Sequence, residues 1–199
     1  LERFHPAAAV GDYHLVVSEL MAHKRINVAI EAFNRLRLPL VVVGDGPETR
    51  RLRRMAGPTI RFEGRVPDPR VAELMAGCRA LVVPSTEEFG IAAVEAQAAG
   101  RPVIALAKGG ACETVRDGET GVLYGPDDAG ALAAAVAGFD ALSVDSEACA
   151  ANAARFGHDR FREGMAKMVD ATVASGPAPD RARRRAAPRR PPRLLVGSG

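Results

Sequence analysis

Short apolar runs rich in β-branched residues recur along the chain and alternate with stretches that have helical spacing. Each run is nearly continuous, which is typical of strands buried on both faces of a parallel sheet. The predicted strands are 14–18, 39–43, 59–63, 80–84, 102–106 and 121–124.

The stretches between these runs place apolar residues on one helical face. Ile26, Ile30 and Phe33, for example, form such a stripe. Asp127 and Asp128 follow a proline and precede an Ala-rich segment, so an Asp cap is expected there. The predicted helices are 24–37, 68–77, 129–139, 146–155 and 158–174. Strand alternating with helix predicts an α/β fold, a Rossmann-like doubly wound parallel sheet with right-handed crossovers.

Charge is distributed unevenly between the body of the chain and its last residues. The formal net charge is +3, but residues 176–199 contain seven Arg and one Asp, so residues 1–175 have a charge of −3. The Arg/Pro-rich tail lacks apolar periodicity and is predicted to be disordered. We consider three interpretations of this tail: an arm that binds nucleic acid or an anionic membrane, a solvated tail without function, and a translation-frame accident. The acidic body argues against a nucleic-acid partner.

Composition limits the cellular setting and the metal chemistry. The chain has 199 residues, 47% of them hydrophobic and 26% charged, which fits one globular domain plus a tail. No apolar run reaches the roughly 18 residues of a transmembrane helix. A cytoplasmic protein is therefore expected, with a peripheral position at the inner membrane face as an alternative. Cys78, Cys112 and Cys149 lack the spacing of a metal site, so we predict three reduced core thiols and no metal.

The loop after the fourth predicted strand contains the strongest functional pattern. In open α/β sheets, ligands bind where strands end, and Glu87 lies in this loop while Glu95 follows in a predicted helix. Between them, Phe89, Gly90 and Ile91 stand at the helix N-terminus, where free amides and the dipole favour an anion. A diphosphate between two sugars fits such a site, whereas the alternative is a solvated acidic loop.

The motifs around this pattern are similar to those of a known family. The segments VVSELMAHKRINVAIEAFNRL, LVVVGDGPE, FEGRVPD, EFGIAAVEAQAAGRPVIA and GGACETVRDGETGVLY occur in this order. With the E-x7-E pattern they resemble glycosyltransferase family 4, over residues 1–174. The resemblance implies the C-terminal, nucleotide-sugar-binding half of a GT-B fold.

The resemblance also implies roles for individual side chains around the sugar and the nucleoside. Glu87 would be the catalytic residue, which contacts the hexose hydroxyls as positive charge develops at the anomeric carbon. Glu95 would accept hydrogen bonds from the nucleotide ribose. Arg65 and Val66 would contact the nucleobase.

The diphosphate contacts follow from the same resemblance. The amides of Phe89, Gly90 and Ile91, together with Lys24, would bind the diphosphate as leaving group, so that neither a metal nor a cofactor is needed. His23, beside Lys24, is assigned no role.

One residue departs from the family pattern at the phosphate site. Glu19 stands five residues before Lys24, where the family usually has an Arg. Either Glu19 turns away and Arg25 compensates, or donor affinity is impaired. The pair Gly109-Gly110 is compatible with a phosphate-approaching loop or with a simple turn.

The domain prediction follows from these observations. We expect residues 1–12 to be the remnant of an interdomain linker, 13–175 to be the donor domain and 176–199 the tail. The resemblance implies a retaining hexosyl transfer from a nucleotide diphosphate sugar, such as GDP-mannose, to a glycan or lipid-linked acceptor. An acceptor-binding N-terminal domain is absent from the sequence, so the chain alone is expected to be inactive. A non-catalytic nucleotide-binding or partner subunit, and another GT-B enzyme such as a nucleotide-sugar epimerase or a phosphorylase, are the alternatives.

Overall fold

The protein contains a six-stranded, all-parallel sheet in a computed structural model that describes residues 1, 3–7, 9–139 and 144–174. The strands are His14–Val17 (β1), Leu40–Val43 (β2), Ile60–Gly64 (β3), Leu81–Val83 (β4), Val103–Leu106 (β5) and Gly121–Tyr124 (β6). Their order in the sheet is β3-β2-β1-β4-β5-β6. The first and last residues of every strand lie within one residue of the predicted positions. The predicted Rossmann-like, doubly wound sheet is therefore confirmed.

Eight α-helices are present in the described part of the chain. They are Ile26–Leu36 (α1), Thr49–Met55 (α2), Asp68–Gly77 (α3), Ile91–Ala98 (α4), Ala111–Thr114 (α5), Ala129–Phe139 (α6), Ser146–Ala154 (α7) and His158–Ala174 (α8). A single 3₁₀ turn, Ala22–Lys24, precedes α1. The first helix begins two residues later than predicted because Arg25 adopts a left-handed conformation, with a φ of 55°.

The chain divides into two compact units, residues 1–160 and residues 161–199. The second unit is described only up to residue 174, so the predicted disordered tail lies outside the described residues. Among the helices that are described, none combines the length and the apolar composition needed to cross a membrane.

Helices cover both faces of the sheet. On one face the core includes Ile30 and Phe33 of α1 and Leu132 of α6, all fully buried. On the other face it includes Met75 of α3 and Ala96 of α4. Because both sheet faces are dry, the strands need apolar residues at successive positions, which explains their continuous apolar runs.

Two of the three cysteines are core thiols, as predicted. Burial raises the pKa of Cys78 to about 12 and that of Cys149 to about 11. The prediction was wrong for Cys112, which is exposed on α5. This helix has only four residues, and Ala111 and Thr114 occupy its buried side, so Cys112 faces solvent.

A buried polar network fixes α4 from behind. Gln97 donates a hydrogen bond to the Thr114 carbonyl at 2.9 Å, and Asn152 of α7 donates to the Gln97 side-chain oxygen at 2.6 Å. Asn152 also donates to the same Thr114 carbonyl at 2.9 Å. Because these groups are buried, losing one partner would leave another unsatisfied, so α4 is held firmly in place.

The predicted Asp cap of α6 is confirmed and gives a first testable expectation. The Asp128 carboxylate accepts hydrogen bonds from the amides of Gly130 and Ala131 at 2.7 and 2.8 Å. We expect Asp128→Ala to cost about 1 kcal/mol of unfolding free energy, since both amides lose their acceptor. Thermal denaturation should show a midpoint about 2–4 °C lower. Asp12→Ala, at an exposed position before β1, is the control and should leave the midpoint unchanged.

Candidate functional site

A cavity of about 650 Å³ opens at the carboxyl ends of β1 and β4. These two strands are neighbours in the sheet, and the chain winds away from them in opposite directions. This switch point is where open α/β sheets bind ligands, because the loops after the two strands diverge there. The cavity is lined by Ser18, Glu19, His23 and Lys24 after β1, and by residues 84–93 after β4.

Lys24, Ser85 and Glu87 form a hydrogen-bonded cluster in this cavity. The Lys24 ammonium donates to Oε2 of Glu87 at 2.7 Å, and the Ser85 hydroxyl donates to Oε1 at 2.6 Å. The Lys24 and Glu87 side chains are 24% and 23% exposed, so the pair is accessible from solvent. The two contacts fix the carboxylate orientation, while the ammonium retains N–H donors for a further anion.

The first turn of α4 forms one wall of the cavity. Gly90 precedes the helix with a φ of 83°, a conformation that glycine adopts at little cost. The first amides of an α-helix lack a carbonyl partner within the helix, and the helix dipole places partial positive charge beside them. Phe89 packs edge-on against Phe156 with ring centroids 5.7 Å apart, which supports the loop from outside. The wall therefore suits a phosphate group.

Gly109 and Gly110 support the loop that contains Glu87. The Gly110 amide donates to the Glu87 carbonyl at 2.8 Å, and Gly109 forms a parallel bridge with Glu87. A Cβ atom on Gly110 would lie only 2.5 Å from the Phe89 Cα. The two glycines thus allow close backbone packing beside the Glu87 loop, and an approach of this loop to a phosphate stays a prediction.

Glu95 lies on α4 about one turn beyond Ile91 and does not line this cavity. Its side chain is 19% exposed, and an Arg3 nitrogen lies 3.5 Å from Oε1. Burial raises the pKa of Glu95, whereas the neighbouring Arg3 guanidinium opposes this shift. Ribose binding by Glu95 stays a prediction.

Arg65 and Val66 follow β3 and are also absent from the cavity lining. Arg65 is exposed, while Val66 is partly buried and packs against the core on the α4 face of the sheet. Their expected contact with a nucleobase therefore stays a prediction.

Glu19 lines the cavity together with Lys24. Arg25 is not among the lining residues, and its guanidinium instead contacts the Asp127 carboxylate at 3.2 Å. Arg25 therefore does not replace the missing Arg in this cavity, and the effect of Glu19 on donor binding stays a prediction. A carboxylate at this position opposes anion binding.

Three residues of the site were not identified from the sequence. Ser85 binds Glu87, His23 lines the cavity, and Arg3 contacts Glu95. A hydroxyl two residues before a candidate catalytic carboxylate, at a strand end, is a signal that could have indicated Ser85. Within the described ranges, no group of three or more His, Cys, Asp or Glu side chains is arranged to hold a metal ion.

Sequence comparison relates this chain to sugar-transferring proteins. The family model described as glycosyl transferases group 1 matches residues 12–139. The chain is 39% identical over 162 residues to D-inositol 3-phosphate glycosyltransferase 2 of Catenulispora acidiphila, which covers 73% of the chain and 38% of that protein. It is 35% identical over 120 residues to an uncharacterized glycosyltransferase of Methanocaldococcus jannaschii, covering 57% of the chain and 34% of that protein.

Solved structures with the same fold also match. Sucrose-phosphate synthase from Thermosynechococcus elongatus superposes with a TM-score of 0.76 at 28% identity, over 88% of this chain and 51% of that one. Anabaena HepE in complex with UDP has a TM-score of 0.68 at 25% identity, over 81% of this chain and 49% of that one. The chain thus spans about half the length of these proteins.

Proposed function

Because this chain belongs to the glycosyl transferases group 1 family, we propose that it is the nucleotide-sugar-binding half of a retaining glycosyltransferase. The observation that supports this most directly is the cavity at the switch point of the sheet, where Lys24, Glu87 and the first turn of α4 meet. A cation, a carboxylate and a helix N-terminus are the groups that a sugar diphosphate requires within a few ångströms.

In the proposed reaction, the bond between the anomeric carbon and the diphosphate oxygen breaks, an acceptor hydroxyl oxygen bonds to that carbon, and the hydroxyl proton passes to the released diphosphate. Negative charge then grows on the leaving diphosphate, and the Lys24 ammonium and the amides at Phe89, Gly90 and Ile91 stabilise it. Positive charge grows at the sugar ring, and Glu87 stabilises that end while it holds the hexose hydroxyls. The Ser85 contact keeps the Glu87 carboxylate oriented before the donor arrives.

Two donor classes are candidates. The resemblance of the EFGI segment favours GDP-mannose or a related sugar, whereas the Anabaena relative was solved with UDP. Several relatives are named D-inositol 3-phosphate glycosyltransferases, which makes a phosphorylated cyclitol an acceptor to compare with glycan and lipid-linked ones. In this family the acceptor binds to an N-terminal domain, so we expect the 199-residue chain to bind donor without turnover.

A second candidate is a nucleotide-binding domain that has no catalytic role of its own. Glu19 in the cavity favours this candidate, since its charge opposes the diphosphate. Such a domain could supply a donor site to a separate acceptor-binding chain. Adding family N-terminal domains in trans distinguishes the two candidates, because only the first predicts sugar transfer.

The proposal is tested by thermal unfolding of the full chain with UDP, GDP, ADP and their sugar conjugates. A ligand at a hundred times its dissociation constant should stabilise the fold by about 2.7 kcal/mol. We expect Lys24→Met to weaken the affinity about tenfold, because one charge-assisted contact is lost and Glu87 is left unpaired.

Lys167→Met is the matched control, because this lysine is exposed on α8 and has no place in the cavity. It should leave the affinity unchanged. A folded wild-type protein that none of the nucleotides stabilises would show that the proposed donor site does not function.

A further inference from the structure

Arg3 connects the segment before β1 to two helices next to the proposed donor site. One guanidinium nitrogen donates to the Asp68 carboxylate at the start of α3 at 2.6 Å. The other terminal nitrogen lies 3.5 Å from Oε1 of Glu95 on α4. The two partners lie 65 and 92 residues away from Arg3 in the sequence, so the contacts depend on the fold that brings the segment before β1 next to α3 and α4.

The position of Arg3 is fixed by its surroundings. Phe4 is only 5% exposed and belongs to the core beneath α3 and α4. The Arg3 guanidinium lies 5.2 Å from the centre of the Phe4 ring, and Asp68 holds one end of it. Arg101 donates a hydrogen bond to the Ala7 carbonyl at 3.2 Å and so secures the same segment farther along. The segment that carries Arg3 is therefore held in position by contacts other than the one between Arg3 and Glu95.

This arrangement contributes little to folding by itself. The Arg3 and Asp68 side chains are 55% and 72% exposed, and ion pairs in such exposed positions stabilise proteins only slightly. Its effect is local, because Glu95 is the partly buried member of the pair. The cation opposes the rise in the pKa of Glu95 that burial causes, and it restricts the orientation of the carboxylate.

We propose that Arg3 is a positioning residue of the donor site, which holds the Glu95 carboxylate where it accepts hydrogen bonds from a nucleotide ribose. This inference rests on the proposed function and on the predicted role of Glu95 as the residue that binds the ribose. The charged groups around Glu95 are Arg3, Asp68 and the Leu1 ammonium. Of these, Arg3 is the side chain that favours the charged carboxylate.

The test measures UDP and GDP affinity by calorimetry between pH 5 and pH 8, for the full chain and for Arg3→Met. We expect Arg3→Met to weaken binding about two- to fivefold at pH 7, because an exposed cation contributes modestly. The loss should grow as the pH falls. Without Arg3, the main group that lowers the pKa of Glu95 is gone, so the carboxylate becomes protonated at a higher pH.

Matched probes and variants separate positioning from a general structural effect. With 2′,3′-dideoxy analogues of the same nucleotides, Arg3→Met should bind as the wild-type protein does, because the hydroxyls that Glu95 would contact are missing. Arg3→Lys should restore part of the affinity. Arg70→Met removes an exposed α3 cation that pairs with Glu73, and it should leave both the affinity and the pH profile unchanged.

The outcomes distinguish a failure of this inference from a failure of the proposed function. If the wild-type protein binds neither nucleotide, the proposed function is wrong and the role of Arg3 falls with it. If Glu95→Gln weakens binding while Arg3→Met changes neither the affinity nor the pH profile, only the inference is wrong. Tighter binding by Arg3→Met would also overturn it, since Arg3 would then compete with the ribose for Glu95.

Discussion

Replacing Glu19 with Arg is expected to tighten the binding of a nucleoside diphosphate by about a hundredfold. Glu19 lines the cavity that also contains Lys24, so a diphosphate bound there would lie near this residue. The substitution removes a repulsion and adds a charge-assisted hydrogen bond, and contacts of this kind are worth about 1.5–3 kcal/mol. Calorimetric titration of the wild-type protein and Glu19→Arg measures the difference, which should shrink in high salt.

Glu119→Arg is the matched control for this substitution. It changes the net charge equally, but Glu119 is exposed in the turn before β6, at the amino end of an outer strand, whereas the cavity opens at the carboxyl ends of the central strands β1 and β4. We expect this variant to bind with wild-type affinity. Equal effects of the two substitutions would mean that overall charge, rather than a contact at the phosphate site, governs binding.

Gly110→Ala is expected to destabilise the fold by about 3 kcal/mol and to abolish nucleotide binding. The new Cβ would lie 2.5 Å from the Phe89 Cα and 2.6 Å from the Glu88 carbonyl oxygen. These are backbone atoms, which cannot rotate away as a side chain does, so the loop must move. Urea denaturation measures the loss of stability. Nucleotide titration at urea concentrations below the unfolding midpoint measures binding by the molecules that remain folded.

Gly138→Ala is the control that tests whether the effect of Gly110→Ala comes from the close packing at position 110. No atom lies within 4 Å of the Cβ that this substitution adds in α6, and alanine favours a helix by about 1 kcal/mol over glycine. This variant should be slightly more stable than the wild-type protein and should bind nucleotide equally well. Normal binding and stability of Gly110→Ala would show that the close packing is not required.

The strands were predictable because their burial on both faces leaves a direct trace in the sequence. The first helix was predictable for a related reason, since Ile26, Ile30 and Phe33 repeat at helical spacing and are all buried. Helix α2 was not predicted. It contains four Arg in seven residues and buries only Leu52, so it has no apolar stripe that a pattern could reveal.

The convergence of Lys24, Glu87 and Gly90 was also predictable, because parallel strands end at the same edge of a sheet. The position of Glu19 was not. The loop after β1 is held by contacts with the loop after β2, including a hydrogen bond from the Leu20 amide to the Asp45 carbonyl at 2.9 Å. The contact between Arg3 and Glu95 likewise depends on the complete fold.

The anchoring of α4 by Gln97 and Asn152 has a consequence for ligand length. If the donor binds as proposed, one helix provides the phosphate-binding amides near Gly90 and the ribose-binding carboxylate of Glu95. Their separation along the axis is then set by helix geometry at on the order of 7 Å, and the buried network prevents α4 from shifting to shorten it. The donor must therefore match this fixed spacing between its ribose and the phosphate that the amides bind.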